Sequence, residues 1–540
     1  MNKKSFLWVL IVLFSVLFGL LIGNIIARRA LLNENIFSLS NSFLSGRSNN
    51  KVDNVLSIIN SQYVDTVDVN QMTEELMIDL IAKLDPHSVY IPAADLADVN
   101  SEIEGSFSGI GIQFNIQEDT IMVVSVIRGG PSEKVGLLAG DRIVEVNDTV
   151  FAGKGISNEK TIRKLRGISG TIVKVGIRRN GTPELLRYEI TRGSIPIHSV
   201  TCSYMITPDV GFIRVDKFSM NTYSEFLNAI ADLRAKGAKK YIVDLRENSG
   251  GLMDQAVNMV NEFMERGNLI VYSEGKASPR YEAVADGRGT CKNAPLVVLI
   301  DDFSASASEI FAGAIQDNDR GLVIGRRSYG KGLVQHQLPL VDGSAIRLTV
   351  ARYYTPSGRS IQKPYERGHT EEYEMDIINR YMKGEFFNAD SIHTTDSLIY
   401  TTTKGRVVYG GGGIMPDIFV PRDTTSYTNY LTKVTNHGHL YQFAFQYTDR
   451  NRETLNRFKT WQELEKYLDK QPLLNDFVAF AAEKNVAPNW KEINISKTIL
   501  LNNMKSYIIR NIMGDEGFYP AYFQNDNVVL RAVDEISKMQ

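Results

Sequence analysis

Cysteine is almost missing from this chain: there are two in 540 residues, Cys202 and Cys291. They read as buried, unpaired thiols without a functional role, even in an oxidising compartment. Histidine is scarce as well. The seven histidines are scattered, with no H-E-x-x-H and no Cys/His cluster, so no metal site and no cofactor are expected. Neither charge is in excess. With 60 basic and 62 acidic side chains the formal net charge is −2, which gives no reason to expect a nucleic-acid surface. Long apolar runs are absent except at the start. Phe6 to Ile26 is almost wholly apolar, broken by Ser15, Gly19, Gly23 and Asn24, with Lys3 and Lys4 before it and Arg28 and Arg29 after it. That stretch is long enough to span a bilayer. No small-x-small cleavage site and no following cysteine mark it for removal or lipid attachment. An uncleaved transmembrane signal anchor is therefore expected, with the body of the protein on the exported, periplasmic side of the cell envelope. A cleaved signal peptide, the alternative, exports the body equally.

What remains is an ordinary globular composition, 43% hydrophobic and 23% charged, in a length that predicts three or four domains. The most informative stretch is Ser304-Ala305-Ser306-Ala307-Ser308-Glu309, followed later by Gly330-Lys331-Gly332-Leu333-Val334-Gln335. The serines follow the apolar run Pro295 to Ile300, which reads as a buried strand. They precede Glu309 to Gln316, which reads as a helix. A serine at such a turn lies near backbone N–H groups that can hold an oxyanion. A buried lysine brought beside it can lose its proton near neutral pH and act as a base. These residue types suit a Ser–Lys hydrolase, without choosing among the three serines. Two other readings compete. Ser306-x-x-Glu309 fits a helix capping box. Gly325 to Lys331 resembles a phosphate-binding P-loop, although Gly332 stands where that motif needs Ser or Thr. His336 is expected to face away from the site if Gln335 faces in, because neighbours on a strand alternate.

The chain divides into a signal anchor over 1–30, a Ser- and Asn-rich tether over 31–50, a helical region over 51–100, and three further segments over 101–195, 196–423 and 424–540. In the first of these three, strand patterns alternate with turns. Gly109-Ile110-Gly111-Ile112-Gln113-Phe114 leads into Val123 to Ile127, a Gly140-Asp141 turn and a helix over Asn158 to Leu165. From Val210 to Asp423 strands and helices alternate, with helices over Thr222 to Lys236 and Met253 to Arg266, which predicts an α/β layered core. Ser360 to Arg406 is a polar insertion whose Glu371, Glu372 and Glu374 read as a solvated face. The last 117 residues show helical spacing over Glu453 to Leu468 and Ile495 to Met513 but no chemical motif.

Six segments in order resemble the carboxy-terminal processing peptidases, a PDZ-containing serine peptidase family (S41) also called tail-specific proteases. They are Leu84-Asp85-Pro86-His87-Ser88, Asp244 to Gly251, Ser304 to Glu309, Gly330 to Gln335, Tyr353 to Gln362, and Gly413-Ile414-Met415-Pro416-Asp417. The resemblance implies a mixed α/β multidomain protein: a membrane anchor, a helical collar, an inserted PDZ domain, a peptidase core of the crotonase-like and ClpP-like layered type, and a helical extension. It implies Ser306 as nucleophile, Lys331 as general base and Gln335 as the residue that orients the lysine. It places the oxyanion hole at the N–H of Ala307 and of Gly250 or Gly251. Gly109, Ile110, Gly111 and Ile112 match the PDZ loop that receives a terminal carboxylate. Where the family often has glycine before the serine cluster, this chain has Phe303. The activity implied is an endopeptidase acting on exported proteins with free, apolar C-terminal tails, needing no metal or other cofactor. A homodimer built through the helical collar and an adaptor protein are partners the resemblance leaves room for. The alternatives are a catalytically silent PDZ scaffold of the cell envelope and a nucleotide-dependent envelope protein.

Overall fold

Leu296–Ile300 is a run of five aliphatic residues, all fully buried, as expected of a parallel strand covered on both faces. The computed structural model, which describes residues 51–539 apart from 118, 128, 154, 180 and 393–397, places this strand near the middle of a six-stranded sheet. The order is Val200–Met205, Val210–Val215, Lys240–Asp244, Leu296–Ile300, Leu322–Gly325 and Ile418–Phe419; the first pair is antiparallel and the rest are parallel. Alternate side chains serve two layers. Ile213, Val243, Val298 and Val323 pack with the helices Thr222–Ala235, Met253–Asn261 and Ala307–Asp317. Phe212, Ile242, Val297 and Leu299 point the other way, onto Val528, Val529, Ala532 and Ile536 of the helix Asn527–Lys538. The final helix of the chain thus completes the second layer of the core.

A second, antiparallel sheet carries the lysine segment. Its long strand Ala345–Tyr354 pairs with Leu333–Pro339, Val89–Ile91 and Leu269–Glu274. The register slips between Val334 and Gln335. Such an irregularity re-aims side chains, and here Val334 and Gln335 both line the cavity that Ser306 and Lys331 also line, while His336 is exposed. Because Lys331 leads into the strand Leu333–Pro339 rather than a helix, the strand–loop–helix context of a P-loop is not formed.

A third sheet, in the order Ile112–Gln117, Thr120–Val126, Arg142–Val146, Ile172–Arg178 and Leu186–Thr191, closes over its own core of Ile121, Val123, Ile143, Val173 and Ile190. The helix Asn158–Leu165 starts where it was expected, with the Ser157 hydroxyl accepting the Lys160 N–H. Strands Ser106–Gly109 and Gly193–Pro196 pair antiparallel, so the chain enters and leaves this module at one place, as an insertion requires.

The extension is helical, with its own core of Leu440, Phe443, Leu464, Phe477, Leu500 and Ile508. The stretch Glu453 to Leu468 is not one helix. It breaks between His439–Leu455 and Trp461–Leu468, where Thr460 caps the second helix through the Glu463 N–H. In the polar insertion, Thr370–Met382 is a helix with Glu371, Glu372 and Glu374 exposed and Tyr373 buried. Met253–Asn261 stops short of Arg266, with Phe263 and Met264 turned into the core. Cys202 and Cys291 are both buried and free.

The chain divides between Leu80 and Ile81 into two units. The first holds Lys51–Gln62 and most of Val69–Ala82. The second helix is capped by Asp68, which accepts the N–H groups of Asn70 and Gln71. The expected anchor and tether over 1–50 lie outside the described residues. Among the described residues no helix is long and apolar enough to cross a membrane.

Candidate active site

Ser306 is the residue on which the strand–loop–helix turn pivots. It immediately precedes the helix Ala307–Asp317 with φ 56° and ψ −114°. Seven non-glycine residues have positive φ among those described; five are Asp or Asn, and the other two are Glu247 and Ser306. Asp and Asn tolerate this region, whereas Glu and Ser are held there against a steric penalty. Such strain is retained where the surroundings enforce it.

The two strained loops meet. A side chain at Gly250 would put its Cβ 2.7 Å from Ser306 Cβ and 2.8 Å from the Ala305 carbonyl oxygen, so only glycine allows the approach. Gly250 donates its N–H to Asn248 Oδ1 at 2.8 Å. The N–H groups of Gly251 and Ala307 donate to no acceptor among the described residues. Of the two glycines named from the sequence, Gly251 therefore has the uncommitted donor.

The three serines separate by environment. Ser304 Oγ donates to the Leu245 carbonyl and accepts the Asp301 N–H; Ser308 Oγ donates to the Asn248 carbonyl. Both are fully buried. Ser306 alone of the three lines a cavity of about 480 Å³, together with Gly250, Gly251, Lys331, Gln335 and Tyr353.

Lys331 Nζ donates to Gln335 Oε1 at 3.1 Å. Burial, followed by the nearby Arg347 guanidinium, pulls the lysine pKa below its ordinary value. Among the described residues no hydrogen bond joins Lys331 Nζ to Ser306 Oγ, although both line the same cavity. The Gln335 amide in turn donates to the His87 carbonyl. That carbonyl is held by a tight polar turn, in which Asp85 accepts the N–H groups of His87 and Ser88 and the Thr349 hydroxyl. His87 is half-buried, and its desolvation, followed by the nearby Lys331 charge, pulls the ring pKa down to about 4. Its Nε2 lies 2.8 Å from the Tyr373 hydroxyl.

Glu309 joins the two segments, a role the sequence analysis did not assign. The Ser306-x-x-Glu309 spacing does cap the helix: Glu309 Oε2 accepts the Ser306 N–H at 2.8 Å, and the Glu309 N–H donates to the Ser306 carbonyl at 2.8 Å. The same carboxylate accepts the N–H groups of Lys331 (2.9 Å) and Gly330 (2.7 Å) and the Ser328 hydroxyl. The Tyr353 hydroxyl lies 3.0 Å from the Ser306 carbonyl oxygen and 2.6 Å from that of Lys331. The Ser-x-x-Glu spacing was the available signal. What it could not show was that a carboxylate capping one segment also clamps another 21 residues away.

In the inserted module, Gly109, Ile110, Gly111 and Ile112 line a groove of about 350 Å³ with Phe114, Ile162 and Leu165. Gly111 has φ 77°. The N–H groups of Ile110 and Gly111 donate to no other described residue. Free N–H groups at one end of an apolar groove, beside an exposed strand edge, suit a peptide C-terminus.

A profile described as peptidase family S41 matches residues 209–374, and one described as a PDZ domain matches 108–190. A third, a family of unknown function (DUF8443), matches 430–514. The chain is 36% identical over 308 residues to the carboxy-terminal-processing protease of Bartonella bacilliformis, covering 56% of this chain and 70% of that one. It is 34% identical over 332 residues to the carboxy-terminal processing protease CtpA of Bacillus subtilis, covering 61% and 70%. A solved photosystem II D1 C-terminal processing protease aligns with 71% of this chain and 89% of its own at 26% identity, with a TM-score of 0.36. A core matching the peptidase profile, carrying an inserted PDZ module and matching these relatives over more than two thirds of their length, places the chain among the PDZ-containing carboxy-terminal-processing proteases of peptidase family S41.

Proposed function

We propose that the protein is a serine endopeptidase in which Ser306 attacks the peptide carbonyl and Lys331, neutral when buried, takes the hydroxyl proton. The observation that carries this reading is the shared cavity, lined by the only accessible serine of the cluster, a half-buried lysine and two loops with uncommitted N–H groups. For the proton to pass, Lys331 Nζ swings from Gln335 Oε1 toward Ser306 Oγ, and Gln335, anchored to the His87 carbonyl, sets the range of that swing. The oxyanion of the tetrahedral intermediate is held by the N–H groups of Ala307 and Gly251. Collapse expels the amine, which takes the proton from Lys331 and leaves an acyl ester on Ser306. Water, deprotonated by the same lysine, then frees the acid.

The PDZ groove recruits the substrate. A terminal carboxylate sits on the N–H groups of Ile110 and Gly111, the tail adds a strand beside Ile112–Gln117, and an apolar last side chain enters between Ile110, Ile162 and Leu165. The substrates are flexible C-terminal tails of exported proteins, and the site of action is the periplasmic face of the cell envelope. The apolar length of Phe6 to Ile26, with Lys3, Lys4 and the α-amino group ahead of it, supports that location. The silent-scaffold alternative has less support, because Ser306, Lys331, Gln335 and Glu309 are all present and connected.

Replacing Ile162 by Arg fills the apolar end of the groove. Binding of a fluorescent peptide with a free apolar C-terminus is expected to weaken at least about tenfold, measured by anisotropy, while a short peptide too small to reach the groove is cleaved at the wild-type rate. Equal affinity in the variant would rule out this groove as the tail receptor.

The pH dependence follows from the base. The active form of Lys331 is the neutral one, and burial lowers its pKa. Activity is therefore expected to rise with pH through the neutral-to-alkaline range and to level off once the lysine is deprotonated. A profile that falls over that range would exclude a neutral lysine as base.

A further inference from the structure

The oxyanion turn is held from an unexpected direction. The turn leaves the strand Lys240–Asp244 and passes through Arg246 and the strained Glu247 before reaching Gly250 and Gly251. Arg246 is buried between two carboxylates. Its Nε and backbone N–H reach Asp244 Oδ1 at 2.9 and 3.0 Å, and Nη2 reaches Asp244 Oδ2 at 2.8 Å. Its Nη1 makes a two-pronged contact with Asp526, at 3.0 and 2.8 Å. Asp526 belongs to the C-terminal extension, where its Oδ1 also caps the helix Asn527–Lys538 through the N–H groups of Val528 and Val529.

Asp244 is shared. It is fully buried and also faces Arg214 Nη1, at 3.3 Å, although Arg214 has a closer carboxylate of its own in Asp216, at 2.7 Å. Arg214 in turn grips Glu247 at 3.0 Å, and the Glu247 N–H donates to Asp301. Phe523, also from the extension, lies under both arginines with its centroid 5.6 and 5.4 Å from their central carbons. The extension thus contributes the second carboxylate that Arg246 meets and the aromatic floor of a buried arginine pair. That pair fixes the residues leading into the oxyanion turn.

We propose that Asp526 is a positioning residue for the oxyanion hole: by neutralising Arg246 it holds the Asp244–Gly251 turn, and with it the Gly251 N–H, in register with Ser306. This rests on the reading of Ser306 and Gly251 given above. It assigns the terminal helix a part in the chemistry of the core as well as in its packing.

Asp526 has two jobs, which a variant can separate. Asp526→Ser keeps a good helix cap but is too short to reach Arg246. The expected result is a kcat about tenfold lower with an unchanged KM, since the contact is felt only as the oxyanion forms. A second readout is inhibition by a peptide boronic acid, whose tetrahedral adduct on Ser306 occupies the oxyanion site. Its Ki is expected to rise by the same factor, and Ki does not depend on how much of the enzyme is folded. Asp526→Glu is expected to restore most of both. If Asp526→Ser does not fold, Asp526→Asn, which keeps cap and volume while losing the charge, takes its place with the same expectation. Wild-type kcat in the variant, or a lowered kcat with an unchanged Ki, would overturn the proposal. A wild-type enzyme that cleaves nothing and ignores the boronic acid would instead defeat the reading of Ser306 on which it rests.

Discussion

Ser306→Ala is expected to lose peptidase activity by at least about 10⁴-fold, and Lys331→Ala by a similar factor, with peptide binding to the PDZ groove unchanged. In the proposed mechanism the two side chains act as one unit, so the double variant is expected to be no worse than either single one. Single-turnover assays with a quenched fluorogenic peptide check the rates, and anisotropy checks the binding. The backbone adds a second expectation. Alanine at φ 56° keeps the strain of the native serine, whereas glycine relieves it. Ser306→Gly should therefore be more stable than Ser306→Ala by about 1 kcal/mol, read as a higher denaturation midpoint. An active Ser306→Ala enzyme would remove the nucleophile from the account. A Ser306→Gly variant no more stable than Ser306→Ala would show that the turn is not strained.

The second large effect is expected at Glu309. Its carboxylate is fully buried and faces four donors: the N–H groups of Ser306, Gly330 and Lys331 and the Ser328 hydroxyl. Glutamine has nearly the same shape but only one acceptor oxygen. If its NH₂ takes the Oε2 position it opposes Ser306 and Lys331. If it takes the Oε1 position the Ser328 hydroxyl can reverse, but the Gly330 N–H is orphaned. The better arrangement costs about 1–3 kcal/mol for that buried donor. Because Ser306 and Lys331 hang on the same carboxylate, a shift of about 1 Å between them is expected to lower kcat about 100-fold. Wild-type kcat in Glu309→Gln would show that the clamp does not set the dyad geometry.

The same residue gives a signed dependence of stability on pH. Burial raises the Glu309 pKa from 4.5 to about 7, so the folded state holds the proton more tightly than the unfolded chain does. Its contribution to stability is therefore largest below about 4.5, declines as pH rises toward about 7, and is level above that. Glu309→Gln does not titrate and should lose that slope. His87, depressed from 6.5 to about 4, contributes with the opposite sign across an overlapping range, which partly masks the slope in the wild type.

Much of the architecture could be read from local pattern. Leu296–Ile300 and Ala307–Asp317 were recognisable because a strand buried on both faces and a helix packed behind it leave apolar signatures in sequence. The inserted module was recognisable from its loop, Gly-Asp turn and helix in order. What stayed hidden depends on distance along the chain. Gly250 and Gly251 were equivalent as letters; they separate only because Asn248 Oδ1 captures the Gly250 N–H. Ser304, Ser306 and Ser308 likewise separate by what surrounds them. The link from Gln335 to the His87 carbonyl spans 248 residues, and that from Arg246 to Asp526 spans 280. No periodicity or short motif can carry such pairings. The alternation rule put Gln335 and His336 on opposite sides, but the irregularity before Gln335, which puts Val334 on the same side as Gln335, has no mark in the sequence.

The most direct test of a tail-recognising serine peptidase is digestion of one flexible protein bearing either a free apolar C-terminus or the same tail ending in charged residues, by the protein in wild-type and Ser306→Ala forms. The account predicts rapid cleavage of the apolar-tailed substrate by the wild type, much slower cleavage of the charged-tailed one, and none by Ser306→Ala. Equal cleavage of both substrates, or cleavage that survives the loss of Ser306, would contradict it.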